Sequence, residues 1–179
     1  ITEEQKQSTI VVRDTLNKEV YRKTIAGTSN GKVFTYHAEV DGLKPNSSYT
    51  YEIKNADSSI SGKFKTSKAK NESGKIRFAF IADPQVSSDS KEKAGKYHPY
   101  ISQANGANFH FMNEFSKQNP LDFLYIAGDH TDKGTNEDHW KVFYTNDGDY
   151  KTAPQDFLKN NTLVSTVGNH DSNDFAGHI

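Results

Sequence analysis

The fold of this chain is decided by Gly128-Asp129-His130-Thr131-Asp132, which directly follows the apolar run Leu121–Ala127. Uninterrupted apolar runs of this length are typical of strands in a parallel sheet that is covered on both faces. Ligands of such sheets bind beyond the carboxyl ends of the strands. Two further polar strings follow apolar runs in the same way: Asp83-Pro84-Gln85 after Ile76–Ala82, and Gly168-Asn169-His170-Asp171 after Leu163–Val167.

Between these runs the hydrophobic period changes to three and four residues, which predicts helices. The strongest such segment is Ala104–Lys117, and Asn119-Pro120 ends it. A strand–helix–strand–helix–strand order predicts βαβ crossovers and a parallel sheet. The residues predicted to form the buried face of this helix are Ala104, Ala107 or Asn108, Phe111 and Phe115, with Met112 beside them. Two more helical or mixed segments are indicated by Trp140, Val142 and Phe143, and by Phe157 and Leu158.

The first part of the chain has a different pattern. Lys32–Val40 and Ser48–Ile53 alternate apolar and polar residues, which is typical of half-buried antiparallel strands. The polar stretch Ser67–Gly74 has the composition of a linker. The sequence therefore predicts two domains: one of antiparallel β-strands over residues 1–70 and an α/β domain over residues 75–179.

The composition limits both the partners and the chemistry that this chain can have. The net charge of -1 gives no electrostatic footprint for nucleic acid, so no nucleic-acid partner is expected. No apolar run reaches the roughly 18 residues of a membrane span. The chain contains no cysteine, which excludes disulfides and thiolate metal sites. Any metal must take oxygen and nitrogen ligands from Asp, Glu, Asn, Gln or His.

The segment Leu43–Tyr51 resembles the tyrosine corner of fibronectin type III-like sandwiches. In that motif a tyrosine hydroxyl is hydrogen-bonded to the backbone a few residues upstream. The resemblance assigns this role to Tyr49 and implies a fibronectin type III-like β-sandwich over residues 1–70. We expect this module to serve packing and spacing, and the alternative is a ligand-binding role of its own.

The three strand-end strings resemble, in order and spacing, the motifs of the calcineurin-like metallophosphoesterase superfamily. That family usually reads Asp-x-His, Gly-Asp-x-x-Asp and Gly-Asn-His-Asp/Glu, followed by two later His-bearing motifs. A fibronectin-like module in front is similar to the purple acid phosphatase branch. Two positions depart from the pattern: Gln85 stands where a His ligand is usual, and Asp132 stands where purple enzymes carry a tyrosine.

The resemblance implies hydrolysis of phosphate esters, as a phosphomonoesterase or phosphodiesterase, by two divalent metal ions (Mn, Fe, Zn or Mg). Asp83 would bind the first metal and Asp129 would bridge both. Asn169 would bind the second through its amide oxygen. Gln85 would be either a ligand to the first metal or a loop residue. If it is a ligand, its neutral amide oxygen favours Mn, Mg or Fe(II) over Zn.

The remaining motif residues receive roles that do not involve the metal directly. His170 would stabilise phosphoryl charge and protonate the leaving oxygen. Asp171 would orient the imidazole of His170, and Asp132 would hold a loop or a ligand in place. His130, next to the bridging carboxylate, is expected to pack beside its strand rather than bind metal.

The chain ends soon after His170, before the family's two later His-bearing motifs. The resemblance therefore implies the N-terminal half of a metallophosphoesterase domain, and the partner of this half would be the remaining C-terminal part of the same protein. We expect the segment alone to hydrolyse little phosphoester. Modules of this type suggest an extracellular or cell-surface bacterial protein. The alternatives are a non-catalytic surface or adhesion protein with a degenerate phosphatase-like domain, and a phosphodiesterase acting on a nucleotide or lipid head group.

Overall fold

The computed structural model describes residues 5–29, 34–86, 98–145, 150 and 152–172, with the side chains of the long helix described from residue 104 onward. The described residues divide into two compact units, the first ending at Gly74 and the second beginning at Lys75. The first unit is built from antiparallel strands, and the second combines a parallel sheet with helices.

The first unit contains a four-stranded antiparallel sheet with the order β2-β1-β5-β6 and a separate two-stranded sheet of β3 and β4. Val12 lies on the central strand β1 and is fully buried. The strands are β1 (Gln7–Arg13), β2 (Glu19–Ala26), β3 (Thr28–Ser29), β4 (Phe34–Thr35), β5 (Ser48–Lys54) and β6 (Ser59–Lys65).

The predicted long strand over Lys32–Val40 is wrong in extent, because the structure forms a strand only over Phe34–Thr35. Residues 32–33 lie outside the described part of the chain, and residues 36–40 have no strand pairing. The alternation of exposure persists without pairing: Tyr36, Ala38 and Val40 are half-buried, whereas His37 and Glu39 are exposed. A period of two therefore reported which side chains face inward, but it did not show whether a partner strand was present.

The hydrogen bond predicted for Tyr49 is present. The buried Tyr49 hydroxyl accepts from the backbone N–H of Lys44 at 2.9 Å. Its ring stacks on Phe64, with the ring centroids 5.6 Å apart. This contact fixes the chain where it enters β5. The fibronectin-like sandwich remains a prediction, since six strands are described in this unit.

The second unit contains a three-stranded parallel sheet with the order β7-β8-β9, so each strand lies next to the one that follows it in sequence. None of the helices in the described part of the chain has the length and hydropathy of a membrane span. The elements are β7 (Phe78–Ile81), α1 (His98–Gln118), β8 (Phe123–Ala127), α2 (Glu137–Thr145), α3 (Ala153–Leu158) and β9 (Leu163–Thr166).

One face of this sheet packs against the helices. Leu124 and Ile126 of β8 are fully buried there, in one cluster with aromatic residues of all three helices. On the opposite face, Phe78 and Phe80 are exposed and stack on the neighbouring rings of β8. The prediction of a sheet covered on both faces is therefore not met by the residues with described positions.

The buried face of α1 differs from the predicted one. The helix buries Phe109 completely, between Phe143 and Phe157 at ring-centroid distances of 6.1 and 5.8 Å. Phe111 and Phe115, predicted to be buried, are instead 64% and 54% exposed. The helix carries apolar residues on two faces, and helical spacing alone did not indicate which face packs against the sheet.

Phe109→Ala is expected to lower the free energy of unfolding by about 3–5 kcal/mol, because it leaves a cavity between three helices. The matched change Phe111→Ala removes the same atoms from an exposed site, so its effect should stay within about 0.5 kcal/mol. Denaturant titration of both variants measures the difference. Equal losses would contradict the helix orientation described above.

Candidate metal centre

The turns after β7 and β8 contain strained backbone. Asp83, Gln85 and Asp129 adopt left-handed conformations, with φ of 48°, 40° and 50°. Such conformations are uncommon for residues other than glycine, and they cluster where a fold has to present side chains at a functional site. Three of the residues predicted to bind metal are thus held in unusual backbone geometry.

The loop after β7 is held against the loop after β8 by backbone hydrogen bonds. The N–H of Gln85 donates to the carbonyl of Asp129 at 2.7 Å, and the N–H of Val86 donates to that of His130 at 3.2 Å. The N–H of Asp132 donates to the carbonyl of Val86 at 3.0 Å. These contacts extend the parallel pairing of the two strands beyond their ends, as the bridge between Val86 and Thr131 also shows.

The loop after β9 lies close to the loop after β8 because two glycines allow their backbones to approach. A Cβ on Gly128 would lie 2.9 Å from the Cα of Gly168, and a Cβ on Gly168 would overlap the carboxylate of Asp129. Gly134 also donates its N–H to the carbonyl of His170 at 2.9 Å. The missing side chain of Gly168 therefore forms the space in which the Asp129 carboxylate lies.

The carboxylate of Asp129 joins the three loops. It is 4% exposed. Its Oδ1 accepts from the backbone N–H of His170 at 2.9 Å, and its Oδ2 accepts from the Nε2 of Gln85 at 3.0 Å. Asp83 and Asn169 lie in the same loops, two residues before Gln85 and one before His170, and both are exposed. Of the predicted site residues, the structure thus brings Gln85, Asp129 and His170 into direct contact.

The imidazole of His170 is oriented by a backbone carbonyl. Its Nδ1 lies 2.8 Å from the carbonyl oxygen of Asp132, which can only accept, so Nδ1 carries a proton. That hydrogen bond raises the pKa of His170, with smaller contributions from the charges of Asp129, Asp132 and Asp171, although partial burial opposes them. The Oδ1 of Asp132 also lies 3.6 Å from the same Nδ1. The predicted role of Asp132 in holding a loop or a ligand stays a prediction.

Asp171 was predicted to orient His170, but the structure places its carboxylate against His130. It is buried and accepts from the Nδ1 of His130 at 2.9 Å and from the backbone N–H of the same residue at 3.1 Å. It also accepts from the N–H groups of Thr131 and Gly168, each at 3.2 Å. Burial alone would raise the pKa of Asp171, but the hydrogen bonds from His130 and Gly168 outweigh it and lower that pKa.

His130 was expected to pack beside its strand, and it is buried between Trp140 and Phe143, at ring-centroid distances of 5.8 and 5.4 Å. Its bond to Asp171 was not anticipated. The two residues are 41 positions apart, and a single sequence carries no signal that pairs a particular His with a particular Asp over that distance.

The four residues predicted to bind metal offer oxygen donors, which suit a hard cation. Asp83 and Asp129 offer carboxylates, and Gln85 and Asn169 offer amide oxygens, which are ligands that Mg²⁺ and Mn²⁺ accept. Over the described ranges of the chain, no group of three or more His, Asp or Glu side chains comes together to hold a metal. The predicted set has four donors, of which only the two carboxylates are charged. A cation would have to bind at the carboxylate of Asp129, which itself fills the space that Gly168 leaves.

Comparison with known proteins gives one clear match. The family model described as calcineurin-like phosphoesterase matches residues 76–178. A search of the curated proteins returns no match. Among solved structures, the chain is similar to a β-glucuronidase of Parabacteroides merdae at 12% identity, over 69% of this chain and 16% of that one. The TM-score of 0.27 is too low for that similarity to support any argument.

Proposed function

This chain belongs to the calcineurin-like phosphoesterase family, and from that premise we propose that it hydrolyses phosphate esters with two divalent cations held at the ends of β7, β8 and β9. The family implies metal-dependent phosphoesterase activity in general. The observation that supports this site most directly is the recessed Asp129 carboxylate, which contacts both neighbouring loops.

The Asp129 carboxylate has the capacity to bridge two cations. Among the described residues, each of its oxygens accepts one hydrogen bond. A carboxylate has about four lone-pair sites, so each oxygen keeps one for a metal. The two donors, the N–H of His170 and the amide of Gln85, fix the plane of the carboxylate before any cation arrives.

We assign Asp83 and Gln85 to the first cation and Asn169 to the second. Gln85 already donates its amide nitrogen to Asp129, so its Oε1 is the atom that would bind metal. Divalent cations bound here would polarise the phosphoryl oxygens and activate water. Four side chains cannot fill two shells of about six ligands each. We therefore expect these residues alone to bind cations weakly and turn over little substrate.

His170 is positioned to exchange a proton with the substrate. Because its Nδ1–H donates to the carbonyl of Asp132, its Nε2 is the nitrogen that would face a leaving oxygen. The elevated pKa favours the doubly protonated ring, which can donate from Nε2. The ring is half-buried at the rim of the loops, where a phosphate ester could reach it.

The fold of the first unit, the branch of the family and the localisation of the protein are also proposals. The bond between Lys44 and Tyr49 supports a fibronectin-like first unit, and such a unit in front of this family's domain supports a purple acid phosphatase-like arrangement. We propose an exported bacterial protein on the same basis. Asp132 at the position of the purple enzymes' tyrosine argues against the ferric charge-transfer colour.

One observation favours the non-catalytic alternative. Within the described part of the chain, no group of three or more His, Asp or Glu side chains comes together to hold a metal. A degenerate domain that serves as a scaffold on a surface protein would keep this geometry without holding metal. Metal content distinguishes the two functions.

Removal and return of the cation in the full-length protein test the proposed function. Chelation should abolish hydrolysis of p-nitrophenyl phosphate or bis(p-nitrophenyl) phosphate, and Mn²⁺ should restore it better than Zn²⁺ because the donors are oxygens. The ratio of monoester to diester turnover identifies the substrate class. Turnover that survives chelation would contradict the metal-dependent mechanism. A folded protein that takes up no metal in excess Mn²⁺, Fe²⁺ or Zn²⁺ would support the scaffold.

A further inference from the structure

The buried carboxylate of Asp171 connects two of the strand-end loops. Three of its four hydrogen bonds come from backbone N–H groups, two in the loop after β8 and one in the loop after β9. The fourth comes from the imidazole of His130. This carboxylate thus contacts the residue that follows Asp129 on one side and the glycine that bounds the Asp129 recess on the other.

The distance between these two loops determines whether Asp129 keeps its position. The backbones at Gly128 and Gly168 approach so closely that neither position has room for a Cβ. The N–H of His170, in the second loop, donates to Asp129 Oδ1 at 2.9 Å. If the loops separated, Asp129 would lose this bond and a wall of its recess.

On the premise of the metal-dependent function above, we propose that His130 and Asp171 form a positioning pair that holds the Asp129 carboxylate in place for its cations. The imidazole is fixed on both sides: its ring packs against Trp140 and Phe143, and its Nδ1–H donates to Asp171. The pair therefore ties the metal-site loops to the helical core. Neither side chain needs to touch substrate or metal.

Two substitutions of His130 separate the hydrogen bond from the packing. His130→Phe keeps a ring between Trp140 and Phe143 but removes the donor to Asp171. His130→Asn retains an amide N–H near the position of Nδ1 but loses the ring. Changes at Asp171 itself would remove four hydrogen bonds at once and risk unfolding, so they are less informative.

Two measurements on the full-length protein, which includes the C-terminal part expected to complete the site, give the test. In Mn²⁺ titration calorimetry, His130→Phe should raise the Kd by about 10–100-fold, as the loss of such an outer partner usually does, while His130→Asn should bind almost as wild type. In hydrogen exchange of the metal-free protein, the His170 amide should lose protection in His130→Phe and keep it in His130→Asn. The melting temperature should fall more in His130→Asn than in His130→Phe, because the Asn variant loses more packing.

If Mn²⁺ affinity and amide protection instead followed the melting temperature, His130→Phe would be near wild type and His130→Asn would be impaired. That result would mean that His130 contributes only packing, and it would overturn the proposed pair. Wild-type values for both variants would overturn it as well, while leaving the proposed function intact. A wild-type protein that binds no Mn²⁺ would instead overturn the metal-dependent function, and the pair as a device for it.

Discussion

In the full-length protein, Asp129→Asn is expected to lower Mn²⁺-dependent phosphoester hydrolysis by about 10³-fold. Bound cations contribute several kcal/mol of charge stabilisation in this class of reaction, and each 1.4 kcal/mol or so is tenfold in rate. The change removes the negative charge that would attract two cations, and it replaces one oxygen with a nitrogen that cannot bind them. The measurement is turnover of p-nitrophenyl phosphate with saturating Mn²⁺, together with Mn²⁺ titration calorimetry.

The substitution is nearly isosteric, so the fold should survive it. An Asn oxygen at the position of Oδ1 can still accept from the N–H of His170. Rotation of the Gln85 amide would let its oxygen accept from the new Nδ2, which restores the second bond. The matched control is Asp138→Asn, which changes an exposed carboxylate at the start of α2 and should leave turnover unchanged. Retained activity in Asp129→Asn would reject the bridging assignment.

The sequence predicted the sheet of the second unit because its signal is local and redundant. Each strand is an apolar run that ends in a Gly-Asp, Gly-Asn or Asp-Pro string, and strands of a parallel sheet place their carboxyl ends at one edge. The structure accordingly pairs β7 with β8 and β8 with β9, and it brings Gln85, Asp129 and His170 together. The position of the site thus followed from chain order and sheet geometry.

The contacts beyond this edge could not be predicted from periodicity. Helix α1 has Phe109 on one face and Phe111 and Phe115 on another, and its orientation depends on which face fits the aromatic residues of α2 and α3. That choice is a matter of packing between residues far apart in sequence. The same limitation applied to Lys32–Val40, whose predicted alternation holds from Tyr36 to Val40 but whose pairing depended on a partner strand.

The partners of Asp171 show the limit of motif-based reasoning. In sequence, Asp171 is adjacent to His170, and adjacency suggested that it orients this ring. In the structure the turn points its carboxylate inward, where four donors satisfy it, and the carbonyl of Asp132 holds His170 instead. A buried carboxylate needs such donors, since an unpaired buried charge is very costly. Burial, rather than proximity in sequence, determined its partners.

His170→Ala is expected to lower turnover by about 10²–10⁴-fold, the usual contribution of a general acid, while Mn²⁺ binding remains near wild type. The bond from this residue to Asp129 comes from its backbone N–H, which the alanine variant keeps. The ring itself contacts the backbone carbonyl and the carboxylate of Asp132, and it makes no hydrogen bond to Asp129 among the described residues. The substitution therefore separates proton transfer from metal binding, whereas Asp129→Asn is expected to remove both.

The leaving group provides the decisive control for His170. An ester whose leaving oxygen is already a weak base, such as p-nitrophenyl phosphate, needs little protonation, so His170→Ala should impair it less than an alkyl phosphate. If both substrates lost the same factor, the ring would instead act through phosphoryl charge. If Mn²⁺ affinity fell together with turnover, His170 would have to be reassigned as a ligand, and the four-donor set of Asp83, Gln85, Asp129 and Asn169 would be incomplete.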